Sequence, residues 1–402
     1  MTIITLLTFL LCPLLALPLV LICSKKDIKH QKFYLLLISL FVALFAYGYH
    51  PSSTEDLYRH QENLSKYQNY TFDDSIKTMQ TKPEQLTLLY EILISKLNNP
   101  GLLQFFTTKI CYFLIFYLLS EYSKRYPGIS KAKTIGVWLF VLSGFHFFVI
   151  VSNIFYTLAL EVFSLGVYVD YEKKKKISWL LYIISPLIHT SAILPLILII
   201  FYKIFKSKIS AKSVLVLTIA ILLISTILPI LSNLFSLPII NEVNSLYRSY
   251  FYNEDHWARL HSVSILILYL SRLAPVILSM HDNRRAVAGI GGFATFTLIA
   301  VILLFFQTSF SIRYIHIVVL CGIPTLFEAL SSTRQSSVVC LSLYLFAIPH
   351  VIYQIRTFTY LNNFDNPLEI VTRDILTILE TKIWKVSYLI CIWRKTWGMI
   401  CF

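Results

Sequence analysis

The sequence predicts an all-α fold, a polytopic transmembrane helix bundle. Three observations carry this prediction. Hydrophobic residues make up 56% of the chain and charged residues only 14%, far below the charge content of a soluble domain. Apolar runs long enough to cross a bilayer recur from one end to the other. Lys and Arg gather in short segments between those runs. A mean hydropathy of +0.68 over 402 residues exceeds what one buried core requires. The net charge of +14 would point to nucleic acid on a soluble surface. Here it follows the positive-inside pattern, and no nucleic-acid partner is expected. The seven cysteines fall mostly within apolar runs and form no C-x-x-C pair, so neither a disulfide framework nor a metal knuckle is expected.

Each run can be justified in turn. The first, 2–23, lacks the basic start and small-residue cleavage site of a signal peptide and precedes Lys25 and Lys26, so it reads as a retained span with its N-terminus outside. Residues 24–32 carry Lys25, Lys26, Lys29 and Lys32 and belong inside. The run 33–49 returns outward. Residues 50–101 then form a long external loop in which five basic residues face seven acidic ones, the wrong balance for an inside loop. Further runs fall at 102–120, 134–151, 154–169, 177–202, 213–235, 262–280, 286–306, 313–331 and 338–354.

The run 177–202 raises a parity problem. Lys173 to Lys176 before it and Lys203, Lys206, Lys208 and Lys212 after it both carry the inside signature, yet one crossing cannot join two inside loops. Pro186 and Pro195 flank His189-Thr190-Ser191, so the run is predicted to be two short or re-entrant helices meeting around the histidine. Counted this way the chain has about 11–12 spans. Residues 236–261 form a second external loop with balanced charge. Residues 1–354 make up the membrane domain, and 355–402, which mixes Trp384, Trp393 and Trp397 with basic residues, reads as an interfacial tail.

Candidate chemistry concentrates on the outward side. The stretch 49–60 places Glu55, Asp56, Arg59 and two histidines just beyond the second run. Adjacent acids there can supply a general base or oxygen ligands for a hard cation; a solvated loop with a turn at Pro51 and a helix capped near Thr54 is the alternative. His189 is an ionisable group at membrane depth, where such residues mark functional sites. Asn153 and Glu161 lie on the run 154–169 or at its start, and Lys109 or Arg272 would be the partner that a buried Glu161 needs. Arg248, Arg259, Arg272 and Arg313 are the outward cations; their planar forks suit a diphosphate, and interfacial anchoring is the competing role. The Tyr247–Tyr252 stretch and Trp257 are aromatic faces suited to sugars or to the membrane interface. No Walker A loop, zinc-protease helix, nucleophile elbow or dinucleotide fingerprint occurs. No cofactor and no metal are therefore expected.

Taken together, Asp56-Leu57-Tyr58-Arg59, Asn153-x-x-Tyr156-x-x-Ala159, His189-x-Ser191-Ala192 and Arg313-Tyr314 resemble the EpsG-like family of bacterial exopolysaccharide proteins, similar in role to Wzy oligosaccharide-repeat polymerases. The order is kept over most of the chain. One departure is Tyr156, where the family pattern has a basic residue. The resemblance implies a multi-pass protein of the bacterial inner (cytoplasmic) membrane that transfers a glycan between undecaprenyl-diphosphate-linked oligosaccharides at the outer face. It maps the family's Asp, His and late Arg onto Asp56, His189 and Arg313. Membrane lipid and other polysaccharide assembly proteins are the further partners expected. A flippase for the same lipid-linked glycans is the main rival, and a membrane acyltransferase acting on surface polysaccharide is a third reading.

Overall fold

A computed structural model describes residues 2–53, 55–145, 147–204, 263–280, 289–303, 308–332 and 336–360. Among these residues there are sixteen α-helices and no strand. The run 213–235 and the loop 236–261, with Arg248 and Arg259, lie outside the described residues, as does the tail beyond Tyr360. Three helices are long and apolar enough to cross a membrane, and eight more are apolar but shorter. The protein is an α-helical membrane protein.

The first run is divided at Cys12 into α1 (Thr2–Leu11) and α2 (Pro13–Lys26), because Pro13 has no N–H to offer and is accommodated at a helix start. Next come α3 (Gln31–Tyr47), three short helices α4 (Asp56–Tyr67), α5 (Phe72–Thr81) and α6 (Gln85–Ser95), and then α7 (Gly101–Ser123). Residues 50–101 are thus mostly helical rather than a loop. The helix expected to be capped near Thr54 begins at Asp56, with Glu55 in the N-cap position. A capping box between Thr71 and Asp74 starts α5. The run 134–151 is likewise divided, into α8 (Lys131–Gly144) and α9 (Phe147–Ser152). It is followed by α10 (Ile154–Tyr171), α11 (Ser178–Ile188) and α12 (Ile193–Ile204). The last four helices are α13 (Val263–Met280), α14 (Gly289–Leu303), α15 (Thr308–Ser331) and α16 (Ser336–Tyr360), the last extending into the segment expected to be tail.

The core forms where α7, α10 and α15 meet, with α3 against α7, α13 and α14 against α15, and α8 against α16. α7 and α10 run parallel: the Tyr168 hydroxyl donates to Glu121 at 2.8 Å, and Arg125 pairs with Glu172, both over 47 positions. α10 and α11 run antiparallel, held at one end by Tyr182 donating to Asp170 (3.0 Å) and at the other by Ser185 donating to the Ala159 carbonyl. Their close approach requires Gly166, since a Cβ there would lie 2.9 Å from the buried Tyr182 ring.

The segment 177–202 is a re-entrant hairpin. α11 ends at His189, a short 3-10 turn spans Thr190–Ala192, and α12 returns. The return is fixed by Lys203, whose ammonium lies 2.5 Å from Asp170 and 4.5 Å from the centre of the Trp179 ring at the start of α11. Both legs therefore begin and end on one side. The hairpin runs along α10 from Asp170 near its end to its first turn, where His189 at the tip lies beside Tyr156.

Candidate functional site

The tip of the hairpin is met from the opposite side by α4 and α6. Thr87 of α6 donates to the Ile188 carbonyl at 2.6 Å. Glu84, just before α6, accepts from the Thr190 amide (3.0 Å) and hydroxyl (3.1 Å), so a carboxylate from the 50–101 segment caps the break in the membrane segment. The break frees backbone groups that an unbroken helix would have paired, and these contacts satisfy them. From α15, the Tyr314 hydroxyl donates to the Ser191 carbonyl at 2.9 Å.

His189 is held by its own turn. The Ser191 amide donates to its Nδ1 (3.1 Å), the Ser191 hydroxyl lies 2.9 Å from the same nitrogen, and the Glu84 carboxylate is 3.7 Å away. An Nδ1 that accepts a backbone N–H carries no proton, so the neutral ring bears its proton on Nε2. His189 accordingly offers a hydrogen-bond donor from that nitrogen.

Asp56 sits in the first turn of α4, one helical turn from His60, an i to i+4 spacing that places both on one face. His60 Nε2 lies 3.3 Å from Asp56 Oδ2, and its Nδ1 lies 2.5 Å from Oε1 of the buried Glu91 on α6. Phe155, at the start of α10, packs edge-on against the His60 ring. Burial by itself would lower the His60 pKa, but hydrogen bonds to Asp56 and Glu91, reinforced by their charges, raise it to about 9. Burial likewise opposes ionisation of Asp56. The His60 hydrogen bond and the charges of His60 and Arg59 outweigh it and bring the carboxyl to about 2. At neutral pH the site therefore holds an ionised Asp56 against an imidazolium.

This pairing makes the docking of α4 depend on pH. The His60 contribution is complete below its ordinary value of 6.5 and is lost as pH rises through about 9. The Asp56 contribution is complete above 3.8 and fades as pH falls toward about 2. The shared stabilisation is at most about 3 kcal/mol. Hydrogen exchange across residues 56–67, corrected for intrinsic rates, is expected to show α4 opening more often from pH 6.5 to 9. The dependence should vanish in His60→Leu.

The remaining sequence-predicted residues take different places. Glu55 accepts from the Tyr49 hydroxyl (2.6 and 2.7 Å) and from Ser52 (3.0 and 3.1 Å), organising the turn before α4 rather than facing His60. Arg59 pairs with Asp56 and is largely exposed. Asn153 occupies the N-cap of α10, and its amide donates to Ser152 at 2.9 Å. Arg272 is buried on α13, within electrostatic range of His316 and His350, and its neighbour Ser271 lies 2.7 Å from His350 Nε2. Arg313 lies in the second turn of α15, immediately before Tyr314. Neither cation expected for Glu161 pairs with it: Lys109 instead lies 5.4 Å from the centre of the Phe106 ring. Tyr156 stands between the two halves, its ring 6.0 Å from His189 and 5.9 Å from His316. Glu84 and Glu91 join the site without having been singled out, and His60 is the one of the two histidines in the 49–60 stretch that pairs with Asp56. The i to i+4 spacing of Asp56 and His60 was the one local signal for any of them. No set of three His, Cys, Asp or Glu side chains placed to hold a metal occurs among the described residues.

Asp56, Glu84 and Glu91 thus gather around α4 and α6, with His189 at the hairpin tip, and Arg272 lies buried on α13. A family model described as the EpsG family matches residues 31–365, which include every element of this arrangement. The chain belongs to the EpsG family. Membership gives it a role in exopolysaccharide biosynthesis as a membrane protein of a bacterial family. Neither the curated proteins nor the solved structures yielded a match. The matched region of this EpsG-family chain omits α1 and α2, and none of the residues of the acidic cluster or the hairpin tip lies in the omitted part.

Proposed function

We propose that this EpsG-family protein polymerises lipid-linked oligosaccharide repeat units, transferring a glycan from one undecaprenyl-diphosphate carrier to the sugar end of another at the outer face of the bacterial inner membrane. The observation that carries the reading is an ionised Asp56 within electrostatic range of His189 at the tip of a re-entrant hairpin. In the reaction the acceptor hydroxyl oxygen bonds to the anomeric carbon, and the bond from that carbon to the diphosphate oxygen breaks. The hydroxyl proton leaves through Asp56 to solvent, and undecaprenyl diphosphate departs with the bonding pair.

A carboxyl of pKa about 2 is a weak base, and the chemistry tolerates that. Glycosyl transfer passes through an oxocarbenium-like state in which the leaving group departs early. The hydroxyl then becomes acidic as its new bond forms, so an ionised acceptor of modest basicity is sufficient. The same negative charge faces the positive charge developing on the sugar. His189 supplies a donor, and Arg272 with Arg313, Arg248 and Arg259 supplies cations for the diphosphate. The carrier brings its own leaving group, which accounts for a sequence without a nucleotide-binding motif.

Deletion of the gene tests the reading. Single repeat units are expected to accumulate on their carrier at the outer leaflet, with long polymer absent. Accumulation of the same units on the cytoplasmic leaflet would instead make the protein a flippase.

A further inference from the structure

Deeper along α10 lies a carboxyl that glycan transfer does not use. Glu161 is fully buried, and neither of its carboxyl oxygens has a hydrogen-bond partner among the described residues. The same is true of two hydroxyls that are also fully buried, Thr157 on α10 and Thr108 on α7. A threonine inside a helix ordinarily turns its hydroxyl to the carbonyl four residues back. Thr107, beside Thr108, does so, donating to the Leu103 carbonyl at 2.8 Å; Thr108 and Thr157 do not.

Geometry brings these groups together. Thr157 and Glu161 share a face of α10 at the i to i+4 spacing, and Thr108, Cys111 and Tyr112 share a face of α7 at i, i+3 and i+4. The two helices are parallel, in the register set by Tyr168 with Glu121 and Glu172 with Arg125. The Cys111 thiol lies beside the Glu161 carboxyl, and one turn before them on the two parallel helices stand Thr108 and Thr157. Tyr112 is likewise an electrostatic neighbour of Glu161.

The cluster therefore presents two carboxyl and two hydroxyl oxygens, all hard ligands, in an apolar surrounding, with a single negative charge once the carboxyl gives up its proton. Hard oxygens select alkali or alkaline-earth ions over softer metals. A divalent ion would leave a net positive charge buried, whereas a monovalent ion leaves none. Four protein oxygens suit the smaller alkali ions better than potassium, whose larger shell needs more ligands. We infer that Glu161, Thr157 and Thr108 form a sodium-ion site bridging α7 and α10. The first turn of α10 carries Phe155 and Tyr156 against His60 and His189, so an ion at this level braces the helix below the candidate site. The inference does not depend on the polymerase reading, because its test reads binding alone.

The experiment follows the melting temperature of the purified full-length protein in detergent as NaCl replaces choline chloride at constant ionic strength, with KCl in parallel. Sodium is expected to raise the melting temperature by about 2 °C at roughly ten times its half-saturating concentration, with a smaller rise in potassium. Glu161→Gln should abolish the sodium response, and Thr157→Val should shift its midpoint to about tenfold higher sodium. Equal melting temperatures in sodium, potassium and choline would overturn the site, as would a full sodium response in Glu161→Gln. If Glu161→Gln does not fold, an unshifted midpoint in Thr157→Val overturns it instead.

Discussion

An Asp56→Asn chain is expected to form polymer at about one hundredth of the wild-type rate or less, at an unchanged protein level. Asparagine keeps the shape of the side chain and its hydrogen bonding but cannot hold the negative charge. In the wild-type protein that charge persists across the working pH range, because His60 and Arg59 pair with it. The substitution removes both the proton acceptor for the incoming hydroxyl and the charge facing the sugar. It also takes one of two carboxylates from His60, so some loosening of α4 accompanies it; Glu91, 2.5 Å from the same ring, remains. Hydrogen exchange over α4 separates the two effects: a hundredfold loss of polymer with near-normal protection places the loss in the chemistry. Normal polymerisation by Asp56→Asn at normal protein levels would remove Asp56 from the reaction and leave it a helix-terminal charge.

His189→Ala is expected to lose activity about a hundredfold, and His189→Gln to keep roughly a tenth of it. The difference follows from the proton's position. Nδ1 accepts the Ser191 amide, so the nitrogen with a proton to offer is Nε2. Removal of one positioned donor from a charged transition state costs on the order of a hundredfold. Glutamine can accept from the turn and still donate through its amide, although it cannot exchange a proton in this pH range. Glycan polymer length and carrier-linked repeat units, measured together in cells, provide the comparison. Glutamine as inactive as alanine would mean that His189 transfers a proton rather than donating a hydrogen bond. Full activity in both variants would reduce it to a cap on the 3-10 turn.

Much of the architecture was legible in the sequence because hydropathy and loop charge are local properties. A bilayer selects for apolar runs of a set length, and these could be counted without knowing how the helices pack. The re-entrant hairpin was legible for the same reason: two lysine clusters on either side of one run, with prolines around His189, leave few alternatives. Pairing of Lys203 with Asp170 beside Trp179 is the contact that closes it. His189 could be singled out because an ionisable side chain within an apolar run is uncommon, and Asp56 because it stands in a cluster of acids, an arginine and histidines just beyond a span.

The tertiary structure decided which of these residues act on one another. His60 and Glu91 are 31 positions apart, and Glu84 and Thr190 are 106 apart; no local pattern joins them, since each pairing depends on how three short helices fold back onto the hairpin. Packing also separated neighbours that look equivalent in sequence: Asp56 turns to His60 while Glu55 is taken up by Tyr49 and Ser52. The same holds for Glu161. Its need for a partner follows from composition and desolvation alone, yet only the packing of parallel α7 and α10 sets Cys111 beside it, with Thr108 one turn away. Hydrophobic burial and charge sidedness add up along a chain and can be read there. Hydrogen bonds and ion pairs act over a few ångströms in three dimensions, so their partners are settled only once the helices have packed.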